Sequence, residues 1–301
     1  MTDFDYSKYH EFCGHTACPG CGEKILLRHV LETLGPDTVI VAPAGCAAVT
    51  DGIFPHTASP VPFLHVPFGA TSSAAAGVRA GFDMQGKENT IVLAWAGDGA
   101  TFDIGMGALS AVAERNENIL YICYDNEAYM NTGIQRSSAT PFGGWTTTTP
   151  KGHLKEEPKK NIDLILASHG IPYIATCSPA FIDDLRGKVD KAMHKRGFRF
   201  LHVFSPCPPG WKSDPKDSIS IARLAVETNV FPLFEIEDGK RISITYKSRG
   251  LPVSEYLELQ GRFHYLTDHE KEKIQADTDS LYKSLLENES RKSRSKIVLE
   301  D

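Results

Sequence analysis

GDGATFDIGMGALSAVAERNENILYICYDN (97–126) is the stretch that decides the fold. It starts where one apolar run, TIVLAWA (90–96), stops. It ends where a second, ILYICY (119–124), gives way to Asp125 and Asn126. Runs that are apolar at nearly every position are strands buried on both faces, and a helical segment between two of them makes the strands parallel. One strand–helix–strand unit takes about thirty residues. The 28 positions from Asp98 to Asn126 therefore return the chain to the same edge of a sheet. Ligands of open parallel sheets bind beyond the carboxyl ends of the strands, so both side chains face one crevice.

The same alternation extends on either side. GEKILLRHVLETL (22–34) has helical apolar spacing, TVIVA (38–42) and FLHV (63–66) read as strands, and ATSSAAAGVRAGFDM (70–84) reads as a helix of small side chains. A helix is expected over 103–116. Beyond a long loop come a helix at 161–169, the strand YIATC, a helix at 179–195 and the strand FRFLHVF. The expected class is α/β, a parallel sheet covered by helices on both faces. Residues 1–210 form that unit. Residues 211–301 form an extension packing on it or on partner subunits: a helix at 218–228, a hairpin FPLFEIEDGKRISITY turning at Asp238-Gly239, and a charged helix at 268–289. The loop 135–160 is too long for a simple connection and is expected to serve function or a partner. Trp95 and Trp145 are expected in core or interface.

A hard divalent cation needs only one or two protein carboxylate or amide oxygens when phosphates supply the rest. Asp98, Asn126 and a carbonyl two residues later meet that need, and glycines 97 and 99 let backbone approach a diphosphate. The helix beginning near Phe102 adds N–H groups and a favourable dipole. A dinucleotide site is disfavoured, because no G-x-G-x-x-G follows the strand.

Seven cysteines stand at 13, 18, 21, 46, 123, 177 and 207. An odd count with no export signal is not a disulfide framework. Cys13, Cys18 and Cys21 match the spacing of a plant-type [2Fe–2S] site, and zinc is the other local reading. Fold reasoning instead gathers Cys46 and Cys207 at the ligand edge, where the Cys18/Cys21 pair can join them. Cys123 and Cys177 lie in apolar strands and read as core.

The 301 residues carry a net charge of -6 and 23% charged residues, which disfavours a phosphate-backbone binder. No apolar run reaches the length of a membrane span. The segment MTDFDYSKYHEF has neither a basic nor an apolar leader region, which points to the cytoplasm.

CPGCG (18–22), GC (45–46), AGDGATFDIG (96–105), YICYDNEAYMNTGIQRSSATP (121–141) and SPCPPGW (205–211) together resemble the beta subunit of a 2-oxoacid:ferredoxin oxidoreductase of the pyruvate synthase type. The resemblance implies a thiamine diphosphate-binding fold. Asp98, Asn126 and the Ala128 carbonyl would hold Mg2+. Gly97, Gly99, Ala100, Cys46, Tyr129 and Thr132 would border the cofactor. Asn131 would stand beside the reacting atoms as the catalytic residue. It implies a [4Fe–4S] cluster on Cys18, Cys21, Cys46 and Cys207, with Cys13 a bystander. It also implies CoA-dependent oxidative decarboxylation of a 2-oxoacid, pyruvate first, with electrons passing singly to ferredoxin. Partner subunits of alpha, gamma and delta type would supply the carboxylate that activates the cofactor. Gly69, Ala70 and Thr71 stand where a more polar patch is expected in pyruvate enzymes, which leaves a branched-chain or aryl 2-oxoacid as the alternative substrate. Two other readings remain: a non-redox thiamine enzyme with structural zinc, and a non-catalytic electron-transfer module. His56 and His65 are candidates for the pocket, and Gln135 and Arg136 for contacts to cofactor, CoA or partner.

Overall fold

The continuous apolar runs all become strands of one sheet. The computed structural model describes residues 14–53 and 56–297, with 290–297 as backbone alone. In chain order the elements are α1 (Gly22–Leu34), β1 (Thr38–Pro43), α2 (Cys46–Asp51), β2 (Phe63–Val66), α3 (Thr71–Met84), β3 (Ile91–Gly97), α4 (Met106–Glu114) and β4 (Leu120–Asp125). After the long loop come α5 (Ile162–Ala167), β5 (Tyr173–Cys177), α6 (Ile182–Met193), β6 (Arg199–Phe204), α7 (Pro208–Trp211) and α8 (Ser218–Glu227). The chain closes with β7 (Phe234–Glu237), β8 (Arg241–Ile244), α9 (Val253–Glu258) and α10 (Asp268–Ile297).

The strand order is β2-β1-β3-β4-β6-β5-β7-β8. The first six strands are parallel, and β7 and β8 are antiparallel. The alternation of side chains along a strand divides the core into two layers. Val41, Val92, Ala94, Ala96, Tyr121 and Cys123 pack on one face with Ala75 of α3, Leu109 and Val112 of α4 and Ile162 of α5. Ile40, Ala42, Leu93, Trp95, Ile122 and Tyr124 pack on the other with Leu26, Val30 and Leu34 of α1 and Leu185 and Val189 of α6. Cys123 and Cys177 are buried in these layers as expected, and Trp95 is fully buried.

The hairpin forms with Asp238 and Gly239 both at positive φ (53° and 66°), the geometry that suits strand twist in a two-residue turn. It continues the sheet, because β7 pairs with β5. A third apolar cluster joins Phe204 and Trp211 to Ile221, Phe231, Tyr256 and Phe263, so the C-terminal segments cover the end of β6. Among the described residues no helix is long and apolar enough to cross a membrane.

One helix departs from expectation. The segment predicted as helical from 103 starts as a π-helical turn, Gly99–Asp103, and the α-helix begins only at Met106. The Ile104 N–H reaches back to the Gly99 carbonyl at 3.3 Å. Such wide turns concentrate at functional sites. Gly105 makes this one possible: a Cβ there would lie 2.0 Å from the Ala100 carbonyl oxygen.

The strand order reverses between β1 and β3. Beyond β1 the chain leads to β2 on one side, and beyond β3 it leads to β4 on the other, which opens a crevice at their carboxyl ends.

Gly105→Ala is expected to destabilise the protein by roughly 1–3 kcal/mol, since backbone must move to admit the methyl group. Denaturant unfolding of this variant beside Gly107→Ala, where a Cβ meets nothing within 4 Å, checks it.

Candidate active site

A cavity of about 210 Å³ occupies that crevice. Its walls come from the turns after β1, β2, β3 and β4. Cys46, Gly97, Asp98, Gly99, Ala100, Asn126, Ala128, Tyr129, Asn131 and Thr132 all line it. Ala44, Gly45, Phe68, Tyr124 and Met130 line it too, and sequence reasoning missed them. His56 and His65 are exposed and are not among the lining residues. Gln135 is bonded to Thr132 and Arg136 to Glu157, both within the loop.

Asp98 lies at the floor, 1% exposed. One end of the Asn126 side-chain amide faces both Asp98 Oδ1 and the Ala128 carbonyl oxygen, at 3.0 Å each. With nitrogen at that end, the amide donates to both. With oxygen there, three oxygens converge on one point, an arrangement that only a cation holds together. Glu127, between Asn126 and Ala128, has φ +65°. This left-handed residue brings the Asn126 side chain and the Ala128 carbonyl to the same side. Gly99 lets the Tyr129 ring close over the turn, since a Cβ would lie 2.4 Å from it. Tyr129 in turn donates to Asp103 Oδ2 at 3.0 Å.

The long loop supports the floor from behind. Ser137 Oγ donates to Asp98 Oδ2 at 2.5 Å, and Ser138 donates to Asp103 through both N–H and hydroxyl. Burial, followed by the charge of Asp125, pushes the Asp98 carboxyl well above its ordinary value, against the Ser137 hydrogen bond. A bound cation would restore the ionised form.

Beneath the loop lies a buried charge network that sequence reasoning did not find. Lys159 Nζ is 2.5 Å from Asp125 Oδ2 and 2.7 Å from Glu127 Oε1. His202 bridges Asp125 at 2.8 Å and Asp163 at 2.9 Å. Arg262 reaches Glu127 Oε2 at 2.6 Å. Burial alone would raise the Asp125 carboxyl, but Lys159 and His202 outweigh it and hold the group at about 2. Burial likewise opposes a charged His202, yet Asp163 and Asp125 raise it to about 9. His202 alone offered a signal, as a polar residue inside an apolar strand run.

Of the thiols, Cys46 lines the cavity. Cys21 directly precedes α1, Cys46 opens α2 and Cys207 directly precedes α7, so three separate turns carry them. Burial and Glu23 push the Cys21 thiol up to about 11. Burial, with the charges of Cys21 and Cys18, raises Cys207 to about 12 against the Gly210 N–H. Cys46 is raised by burial and then by Cys207, with Cys21 a lesser cause. The four thiols therefore share one electrostatic neighbourhood. Among the described residues no three His, Cys, Asp or Glu side chains close on a single metal ion. Cys13 lies outside the described residues.

Residues 44–203 match a family described as thiamine pyrophosphate enzyme, C-terminal TPP binding domain. The pyruvate synthase subunit PorB of Methanothermobacter thermautotrophicus is 46% identical over 276 residues, 90% of this chain and 96% of its own. The ketoisovalerate oxidoreductase subunit VorB of Pyrococcus horikoshii is 47% identical over 275 residues, 88% of each chain. The chain belongs to the 2-oxoacid:ferredoxin oxidoreductase beta subunits. This beta subunit is part of an enzyme that needs partner subunits. Its fold is shared with a solved 2-oxoglutarate:ferredoxin oxidoreductase from Magnetococcus marinus, at a TM-score of 0.62 and 21% identity over 92% of this chain and 96% of that one. The matched thiamine-binding domain contains the cavity floor and Cys46, whereas Cys18, Cys21, Cys207 and Arg262 fall outside it.

The network makes the stability of the beta subunit depend on pH at both ends. The folded value of His202, about 9, lies above the ordinary 6.5, so its contribution is complete below pH 6.5 and lost as pH rises through about 9. Asp125 acts in reverse: its contribution is present above pH 3.8 and lost as pH falls through about 2. His202→Gln is expected to lower the melting temperature overall and to flatten its decline between pH 6.5 and 9. Calorimetry across that range measures both.

Proposed function

We propose that this beta subunit binds thiamine diphosphate through Mg2+ on Asp98, Asn126 and Ala128, and one [4Fe–4S] cluster on Cys18, Cys21, Cys46 and Cys207. With alpha-, gamma- and delta-type partners in the cytoplasm it catalyses CoA-dependent oxidative decarboxylation of a small aliphatic 2-oxoacid, pyruvate first. Electrons pass singly to the cluster and on to ferredoxin. One observation carries the reading: the Asn126 side-chain amide, Asp98 Oδ1 and the Ala128 carbonyl meet at the floor of a cavity that Cys46 also lines.

The donor sets fit their groups. Two neutral oxygens and one carboxylate suit a hard cation whose remaining ligands are phosphate oxygens and water. Four cysteines presented by three turns offer the thiolate set of an iron–sulfur cluster. Thiamine diphosphate supplies the electron sink for loss of CO2, and the cluster accepts electrons one at a time. Gly97, Gly99 and Ala100 admit the diphosphate to backbone N–H groups at the π-helical turn. Phe68 and Tyr129, in ring contact at 5.8 Å, wall the cavity from water. Asn131, exposed in the lining, is placed to orient the substrate. Asp98 is the only carboxylate among the described lining residues and is committed to the cation. The carboxylate that activates the cofactor then comes from a partner subunit. The similar identity to ketoisovalerate subunits supports a branched-chain 2-oxoacid as the second reading.

Anaerobically purified complex is expected to contain iron, sulfide and thiamine, and to reduce a one-electron dye with pyruvate and CoA. A 2-oxoacid panel ranks the substrates, and a faster rate with 2-oxoisovalerate selects the second reading. Asp98→Asn should weaken Mg2+-dependent thiamine diphosphate binding by roughly 100-fold or more, beyond what outer-shell changes cost. Cys46→Ser should abolish or convert the low-temperature EPR signal, while Cys13→Ser leaves it unchanged. Loss of the signal in Cys13→Ser would refute the ligand set.

A further inference from the structure

Arg262 stands far along the chain from both motifs, in a one-turn 3-10 helix (Gly261–Phe263) of the C-terminal segment. Its side chain is only 3% exposed. The guanidinium pairs with Glu127 Oε2 at 2.6 Å, and donates to Gln260 Oε1 at 3.0 Å and to the Tyr256 hydroxyl at 3.1 Å. Its flat face lies 3.9 Å from the centre of the Trp211 ring. The turn is pinned in place: the Gly261 N–H donates to the Lys212 carbonyl at 3.1 Å, and a Cβ at 261 would lie 2.8 Å from Lys212 Cβ.

Both partners of Arg262 lead to a cofactor site. Glu127 is the left-handed residue between Asn126 and Ala128. Trp211 donates from Nε1 to the Asn126 carbonyl at 2.9 Å, and its backbone N–H donates to the Cys207 carbonyl at 2.9 Å. One guanidinium thus holds the cation loop by its side chain and, through the indole, by its backbone. The same indole sits in the turn that presents Cys207.

We propose that Arg262 is the positioning residue that fixes the cation loop and the Cys207 turn in one geometry. This rests on the cofactor reading above. Without the guanidinium, Glu127 keeps only Lys159 among its ion-pair partners, and that ammonium is shared with Asp125. Glu127 is then free to leave its left-handed conformation, which persists only where surroundings enforce it. The Ala128 carbonyl turns with it, and the cation loses a ligand. Trp211 loses its stacking partner, and the Cys207 turn shifts.

The test compares Arg262→Met, Arg262→Lys and the double variant Arg262→Met with Glu127→Gln in the intact anaerobic complex. Mg2+ affinity at saturating thiamine diphosphate is read by circular dichroism, and the cluster by iron content and low-temperature EPR. Arg262→Met is expected to bind Mg2+ about 10–100-fold more weakly, the usual cost of losing an outer-shell partner, with an altered EPR line shape at unchanged iron content. Arg262→Lys keeps the charge but loses the planar fork and stacking, and should fall between. The double variant removes the unpaired buried carboxylate, so it should regain thermal stability without regaining Mg2+ affinity. Wild-type affinity and line shape in Arg262→Met, or in Arg262→Lys should Arg262→Met fail to assemble, would overturn the proposal. So would full recovery of Mg2+ affinity in the double variant, since a merely charge-balancing role predicts it. A wild-type complex with no Mg2+-dependent thiamine diphosphate binding would instead sink the cofactor reading itself.

Discussion

Lys159 sits between two carboxylates that no buried turn could hold without it. Asp125 and Glu127 flank Asn126, both are buried, and both take their charge balance from this one ammonium group. Removing one partner of such a buried pair typically costs about 3–5 kcal/mol, because the other charge is stranded in a poorly polarisable interior. Arg262 and His202 complete the balance from opposite directions. The turn after β4 is therefore over-determined. The Asn126 amide and the Ala128 carbonyl, on either side of the left-handed Glu127, are held facing Asp98.

The sheet order brings two groups of polar and thiol side chains to one rim. The crevice opens where β1 and β3 send their following loops in opposite directions. The turn after β1 brings Cys46 to it, and the turns after β3 and β4 bring Asp98, Asn126 and Ala128. The end of β6 then adds Cys207, and the segment before α1 adds Cys18 and Cys21, whose charges are felt at Cys207. Trp211 belongs to both neighbourhoods at once, bonded to the Asn126 carbonyl and to the Cys207 carbonyl.

Much of the fold was legible because burial on both faces leaves a plain trace. β1, β3, β4 and β6 read correctly from apolar runs, and Asp98 and Asn126 from the length of the unit between them. The start of α4 did not, because the π-helical turn depends on a contact between Gly105 and the Ala100 carbonyl that no helical periodicity encodes. The long loop was recognised as too long to be idle. That Ser137 would reach Asp98, and Lys159 Asp125, was hidden, since Ser and Lys in a polar loop look like any solvated residues. The cysteines pulled in two directions: local spacing grouped 13, 18 and 21, while fold reasoning gathered Cys46 and Cys207 with Cys18 and Cys21.

By itself the sequence determined the layered α/β class, the strands that carry the cavity, and the meeting of Asp98 and Asn126 at its rim. These follow from local patterning: a strand buried on both faces must be apolar, and its polar end must lie at the rim. Tertiary structure alone decided what holds the rim in shape. The ion pairs from Lys159, His202 and Arg262 join residues far apart in the chain, and a buried charge finds its partner by proximity in space, for which sequence distance carries no signal.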